Sequence, residues 1–488
     1  MDRLTPIDAS FLHQEREASH MHVGGVVIFE GPPPSYQELV DHLRSRMGSV
    51  PRYRQKLIEP PFELGRPFWI DDPSFNLDYH LRFTALPSPG SLEQLRALLG
   101  RIFSQRLDRS KPLWELWVVQ GLEDGRFALI SKTHHAMVDG VAGVDLSTVL
   151  FDLSPVPQEG AGGDGSAPGD GAEWTPEPEP STAGLVAEAV KDAVRTPAGL
   201  AGRALGFLSR PGAAVDELRE ALEGLSEVVW AGLNPAPEVP LNVPIGPHRR
   251  VWWLQRPLDE LKQIKDALGG TVNDVVLAVV AGALGRWLRS RGVRLEGVEL
   301  RALVPMSIRA EEEHGALGNR IAAMRGPLPV YARDPVERLR IVREAMAGVK
   351  DSKQALGAEV IAGLERFAPP TLLAQASRIN FSTRLFNLIV TNVPGPQFPL
   401  YLLGREMLEM VPVAFLPEQH ALAIAIMSYN GKVDFGLLGD YDAMPDLDRV
   451  AELIEESIDE LLEAAAKATP ARRRQPKRGG AQRSRTRS

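Results

Sequence analysis

The chain has 488 residues, more than one hydrophobic core usually organises, and its 44% hydrophobic and 24% charged residues match globular proteins rather than fibrous or disordered ones. It contains no cysteine, which excludes a thiol nucleophile, a disulfide framework and any cysteine-ligated zinc or iron–sulfur centre. The net charge is −8, and because residues 472–487 hold eight Arg or Lys and no acid, the chain before them carries about −16.

The first residues lack the basic region and apolar stretch of a signal peptide, so a cytoplasmic protein is expected. Residues 22–30 read as a buried strand, and residues 36–46 as a helix opening after a proline-rich turn. Strands follow at 116–120 and 127–132, the second running straight into His134 and His135. Asp139 and Gly140 can open a helix reaching residue 150, because Asp caps well and Gly permits a sharp approach. The double histidine therefore sits at a strand-to-helix turn.

Residues 155–180 are rich in Pro and Gly, carry six acids and no base, and lack apolar periodicity, the pattern of a solvated linker. Gly160, Gly162 and Gly165 match the dinucleotide-binding glycine pattern formally. No strand precedes them and no apolar helix follows, so the match carries no function. From 185 to 230 apolar residues recur at helical spacing, broken at Pro197 and Pro211, as in amphipathic helices bridging two lobes. A second α/β region runs over 240–466. Its expected strands are 251–254, 299–305, 388–392, 423–429 and 432–438, and its helices include 272–289, 335–351 and 447–466. The longest nearly uncharged apolar run, 275–285, is well short of the ~20 residues that span a bilayer. The expected organisation is an N-terminal lobe over 1–154, a disordered linker over 155–182, bridging helices over 183–239, a C-terminal lobe over 240–467 and a disordered basic tail over 468–488.

A histidine at the end of a strand is held rigidly and still faces a cleft, and its ordinary pKa of about 6.5 suits proton transfer near neutrality. His135, in the segment His134-His135-Ala136-Met137-Val138-Asp139-Gly140, is the candidate base; the eight other histidines read as structural. A metal site is the competing chemistry. Adjacent strand residues project to opposite faces, so His134 and His135 do not readily share one ion, and no third convergent ligand or HExxH spacing is evident. No Gly-x-Ser-x-Gly elbow and no Walker-type glycine loop occurs either.

The HHxxxDG segment resembles the signature of the chloramphenicol acetyltransferase-like, coenzyme-A-dependent acyltransferases. A narrower resemblance, to the bacterial wax ester synthase/diacylglycerol acyltransferase family, rests on segments spread along nearly the whole chain. These are Leu4-Thr5-Pro6-Ile7-Asp8-Ala9-Ser10-Phe11, Pro112-Leu113-Trp114-Glu115, Thr271-Val272-Asn273-Asp274-Val275, Val304-Pro305-Met306-Ser307-Ile308-Arg309, Leu317-Gly318-Asn319-Arg320 and Thr391-Asn392-Val393-Pro394-Gly395-Pro396. Residues 155–180 and the tail match no such segment.

The resemblance implies an α/β fold of two similar lobes, each a mixed sheet with flanking helices, meeting at a tunnel that both substrates enter. It also implies transfer of a long-chain acyl group from acyl-CoA, a co-substrate rather than a bound cofactor, to the hydroxyl of diacylglycerol or of a long-chain alcohol. His135 would act as general base and no covalent acyl-enzyme would form. Asp139 would organise the motif through an ion pair, with Arg309 as candidate partner, and His134 would support the turn. Gly140 would admit the backbone close to the channel, or be an ordinary helix-start glycine. Asn273 is the oxyanion candidate, and Asn273 with Asp274 either lies near the active centre or caps the helix beginning there. The segment 391–396 reads as a strand followed by a rigid turn, structural or tunnel-lining.

Such substrates live at membrane surfaces, so peripheral contact with an anionic membrane or lipid inclusion is expected. The basic stretch 472–478 is drawn to anionic lipid or merely solubilises, and it lacks the interleaved aromatics of a nucleic-acid binder. The bridging helices and residues 369–373 either touch lipid or are core. Two rival functions stand: an acyltransferase of the same fold with another acceptor or a carrier-bound donor, and a catalytically idle protein coating lipid inclusions. Nothing in the residues separates the two lipid acceptors or fixes oligomeric state.

Overall fold

The computed structural model describes residues 1–61, 66–138, 150–156, 174–185, 187, 235–307, 321–351 and 383–468. In chain order the first half forms β1 (Asp2–Arg3), α1 (Pro6–Gln14), β2 (His22–Phe29), α2 (Tyr36–Arg46), β3 (Gln55–Ile58), β4 (Phe68–Asp71), α3 (Leu77–His80), β5 (Leu81–Ala85), α4 (Leu92–Phe103), β6 (Trp114–Gln120), β7 (Phe127–His134) and α5 (His135–Val138). The second half forms β8 (Arg249–Pro257), α6 (Leu258–Leu268), α7 (Val272–Ser290), β9 (Leu300–Ser307), β10 (Ile321–Leu328), α8 (Pro335–Asp351), β11 (Leu388–Pro394), β12 (Tyr401–Leu402), β13 (Arg405–Val413), β14 (Leu422–Tyr429), β15 (Lys432–Asp440) and α9 (Leu447–Ala468). Every strand and helix expected from pattern within these residues is present, with ends moved by a residue or a few.

Two six-stranded mixed sheets carry the architecture, in the orders β12-β13-β2-β7-β6-β5 and β10-β9-β11-β14-β15-β8, beside a small sheet β1-β4-β3. In the second sheet β11 runs parallel to both β9 and β14 while the outer pairs are antiparallel. Helix α7 shows why pattern reading succeeds there. Thr271 and Asp274 close a reciprocal capping box at its start, and residues 275–285 behind it are wholly buried, which identifies the long apolar run as core. Among the described residues no single helix is long and apolar enough to cross a membrane.

One strand crosses between the two expected lobes. Residues 401–413 belong by sequence to the C-terminal region, yet β13 pairs antiparallel with β2 from Met407↔Phe29 to Val413↔Gly24 and so completes the N-terminal sheet. Pro412 makes Arg405–Val413 a poor sequence candidate for a strand. β12 pairs with β13 only at residues 405–406, so beyond them β13 has β2 as its ladder partner, and the Pro412 carbonyl lies against Gly436 of β15 instead. The expected linker is likewise not solvated throughout. The Arg54 guanidinium lies 4.5 Å over the Trp174 ring, and the Glu177 N–H donates to Asp71 at 3.1 Å, so residues 174–177 lie on the small sheet. Residues 157–173 of the expected linker and 469–488 of the expected tail lie outside the described residues, as do nearly all of the bridging helices.

The two halves meet closely. Gly100 in α4 lets the helix approach β8 so nearly that a Cβ there would stand 2.7 Å from the Arg249 carbonyl. Arg96 of the same helix stacks over Trp252 and Trp253 and donates to the Trp253 carbonyl at 3.2 Å. In β2, a Cβ at Gly24 would fall 1.9 Å from the Ser131 carbonyl oxygen, and one at Gly25 would fall 2.4 Å from that of Val411. Both neighbours are backbone and cannot swing aside. Gly24→Ala should therefore lower stability by roughly 1–3 kcal/mol in a urea titration, whereas Gly48→Ala, with open space at its Cβ, should leave the midpoint unmoved. Equal midpoints for the two variants would contradict this packing.

Candidate active site

The ladder between β2 and β7 ends at the pair His22↔His134, and the chain turns into α5 at His135. The turn is held by backbone. His134 N–H donates to the Leu113 carbonyl at 3.0 Å, and His135 N–H donates to the Met21 carbonyl at 2.9 Å. Met21 adopts a φ of 53°, a left-handed conformation uncommon for a residue with a side chain, so this carbonyl is aimed by backbone that its surroundings must hold.

The two histidines then part company. His134 is buried, and its Nδ1 accepts the Ala136 N–H at 3.1 Å, which places its proton on Nε2, 3.9 Å from a Glu15 carboxylate oxygen. Burial, reinforced by Arg109, His135 and Arg106, pushes its pKa down to about 3, so it is neutral at any physiological pH. The His135 ring turns the other way and is only half-buried. It stacks on Phe11 of α1 at 3.9 Å between centroids and meets Phe415 edge-on at 5.4 Å. One wall thus comes from the first helix and the other from the segment just after β13. His135 stands where the two halves of the chain meet.

Behind the motif lies a polar cluster. The Glu15 side chain accepts from Arg109 Nε at 2.7 Å and faces Arg106 Nε at 3.4 Å. His22 stacks edge-on to His134 at 6.2 Å and accepts the Leu107 N–H at 3.4 Å. Lys132, fully buried in β7, is neutralised by Glu115 at 3.2 Å and donates to the carbonyls of Ile102 and Gln105. Each buried charge has a partner, which is the condition on which such groups persist in an interior.

The second set of candidates lies at the start of α7. Asp274 is buried, and its carboxylate accepts both the N–H and the hydroxyl of Thr271, at 2.7 and 2.8 Å, so its side chain serves the helix cap. Asn273 is half-buried, and its Oδ1 accepts from Asn392 Nδ2 at 3.5 Å, joining the segments 271–275 and 391–396. Asp139, Gly140 and Arg309 lie outside the described residues. Among the described residues no three His, Asp or Glu side chains stand together in a way that could hold a metal ion.

Several residues of the site have no individual signal in the sequence. Phe11 belongs to the opening segment 4–11, but nothing there distinguishes it as the ring against His135. Phe415, Glu15, Arg109 and Met21 belong to no motif at all. Glu115, by contrast, gives the segment 112–115 a physical meaning: its carboxylate compensates Lys132 on the strand that leads into the motif.

Residues 4–276 match the wax ester synthase/diacylglycerol acyltransferase catalytic domain, and residues 317–462 match the WS/DGAT C-terminal domain. The chain belongs to the wax ester synthase/diacylglycerol acyltransferase family. A Mycobacterium tuberculosis protein named a probable diacylglycerol O-acyltransferase is 33% identical over 478 residues, covering 97% of this chain and 98% of its own. A second protein from that organism, similarly named, is 33% identical over 471 residues, covering 95% and 99%. Among solved structures, the wax ester synthase/diacylglycerol acyltransferase from Marinobacter aquaeolei VT8 is 27% identical with a TM-score of 0.63, covering 95% of this chain and all of its own. The first condensation domain of the calcium-dependent antibiotic synthetase, 16% identical over 96% of each chain, reaches a TM-score of 0.59 and so shares the fold. The two-lobed architecture expected from the acyltransferase resemblance is the fold of this family member.

Buried histidines make a checkable statement about acid stability. Desolvation lowers His22 well below its ordinary 6.5, takes His134 to about 3, and takes His80 and His420 to about 4. Between those values and 6.5 the unfolded chain binds protons that the folded chain refuses. Stability is therefore complete above about pH 6.5 and is lost as pH falls below it, each group approaching about 1.4 kcal/mol per pH unit. The melting temperature should begin to drop below about pH 6.5, above the carboxylate range. A temperature constant from pH 7 to 5 would contradict the burial of these rings.

Proposed function

We propose that this protein transfers a long-chain acyl group from acyl-CoA to the hydroxyl of diacylglycerol, and also to long-chain alcohols, with His135 as general base. The observation that carries the reading is the unequal setting of the paired histidines. His134 is buried, neutral and tied to the turn, whereas the His135 ring lies half-exposed between Phe11 and Phe415, where the two halves of the chain meet.

In the proposed reaction the His135 ring removes the acceptor hydroxyl proton as the oxygen attacks the thioester carbon. The tetrahedral intermediate then expels coenzyme A, whose sulfur takes the proton back from the imidazolium. No group on the enzyme becomes acylated, so the balance closes on one ester formed and one thiol released. The aromatic walls exclude water from the thioester, which disfavours hydrolysis as a side reaction. Asn273, with its Oδ1 occupied by Asn392, keeps its amide N–H₂ as the end able to donate to the developing oxyanion. Asp139 and Arg309 are proposed as the ion pair that stiffens the far side of the motif, and Gly140 as the point of close backbone approach. Acceptors of this kind are found at lipid surfaces, so the enzyme is proposed to work peripherally on a membrane face or a lipid inclusion.

The deciding assay is release of coenzyme A thiol from palmitoyl-CoA by the full chain, with diacylglycerol, with hexadecanol and with no acceptor. Acceptor-dependent release supports the reading and ranks the two acceptors; release from a carrier-bound acyl donor alone, or none from any donor, replaces it with one of the rivals. His135→Ala should cut acceptor-dependent release by roughly 10²–10⁴-fold with an unchanged melting curve. Turnover near that of the wild type would remove His135 from its role.

A further inference from the structure

The turn at residues 15–21, between α1 and β2, is tied at four points, and two of the ties come from the other half of the chain. At its start Glu15 is held by Arg109 and Arg106. At its middle the Ala18 carbonyl accepts from the Arg249 guanidinium, and the Ser19 hydroxyl donates to the Leu416 carbonyl at 2.7 Å. At its end Met21, in its left-handed conformation, presents the carbonyl that receives the His135 N–H.

Arg249 is buried at the start of β8. The same guanidinium donates to the carbonyls of Gly246 and His248 at 2.7 and 3.0 Å and faces Asp440 of β15 at 3.9 Å. It is therefore fixed within the C-terminal half while it grips a carbonyl of the N-terminal half. Leu416 adjoins Phe415, the ring that meets His135 edge-on, so the Ser19 tie binds the same turn to one wall of the site.

From this arrangement we infer that Arg249 is a positioning residue for His135, acting across the two halves of the chain through the turn 15–21. The inference rests on His135 being the base. A conformation such as that of Met21 persists only where its surroundings over-determine it, and the ties from Arg249 and Ser19 supply that determination. Removing one lets Met21 relax toward an ordinary backbone conformation and moves the carbonyl that aims His135. Small misplacements of a reacting group cost rate without costing substrate affinity.

The test compares Arg249→Lys, Ser19→Ala and their combination with the wild type, using palmitoyl-CoA and the better acceptor. Lysine keeps the charge but cannot satisfy three carbonyls with one planar fork. The expected result for Arg249→Lys is a kcat reduced roughly ten- to a hundredfold per folded molecule, with KM for palmitoyl-CoA unchanged within about twofold. Ser19→Ala should lose less, and the double variant should lose less than the product of the two, because the ties hold one turn. A folded Arg249→Lys with wild-type kcat, or one whose KM rises while kcat holds, overturns the inference. If Arg249→Lys does not fold, Ser19→Ala decides: unchanged kcat in that variant overturns it as well. His135→Ala run alongside separates the two levels, since activity surviving there defeats the base itself, whereas a dead His135→Ala beside an unaffected Arg249→Lys defeats only the positioning role.

Discussion

The hydrogen bond from the His135 N–H to the Met21 carbonyl closes the open end of the β2–β7 ladder at the point where strand becomes helix. A strand that ends in a helix must change the direction of its backbone groups within one residue, and the N–H at that corner needs an acceptor that no regular ladder supplies. Here the acceptor is a carbonyl in left-handed backbone, reached only because the preceding turn is bound on both sides. The orientation of the His135 ring follows from that corner, with Phe11 and Phe415 setting its faces.

The same corner explains the polar interior behind the motif. Turning His135 outward turns His134 inward, where its ring accepts from Ala136 and sits neutral beside the Glu15–Arg109–Arg106 group. Ionic groups in an interior cost desolvation that pairing only partly recovers, so they are a poor source of stability. Their geometry, however, specifies one arrangement of α1, the segment 105–109 and β7. Lys132 and Glu115 do the same for β7 and β6. A hydrophobic replacement would fill the space without defining which way the turn faces.

The two halves are interleaved rather than merely docked. β13 leaves the C-terminal region to complete the N-terminal sheet, and its Pro412 carbonyl lies against Gly436 of β15, where a Cβ would come within 1.9 Å. The segment immediately after it delivers Phe415 to His135 and Leu416 to Ser19. This crossover joins the sheet that leads into the paired histidines to the half that carries Asn273 on α7 and Asn392 on β11. The candidate site at the junction is therefore built from both halves.

Much of this protein is determined by local pattern. The apolar run in residues 22–29, the apolar run in α7 with its Thr271 cap and the long amphipathic α9 are decided by interactions within a few residues, where periodicity and capping chemistry suffice. The family, too, is legible, because its segments recur in order along the chain. What local pattern does not contain is any contact between residues hundreds of positions apart. The pairing of β13 with β2 is hidden by Pro412, which looks like a strand breaker until its place in the ladder opposite Gly25 is seen. Whether His134 or His135 faces the junction is decided by the Met21 turn. Phe415, Ser19 and Arg249 have no sequence signal, since their roles exist only once the two sheets are brought together. Secondary structure and motif are short-range properties fixed by backbone sterics and side-chain chemistry, whereas the orientation of the His135 ring depends on long-range packing that only the folded chain supplies.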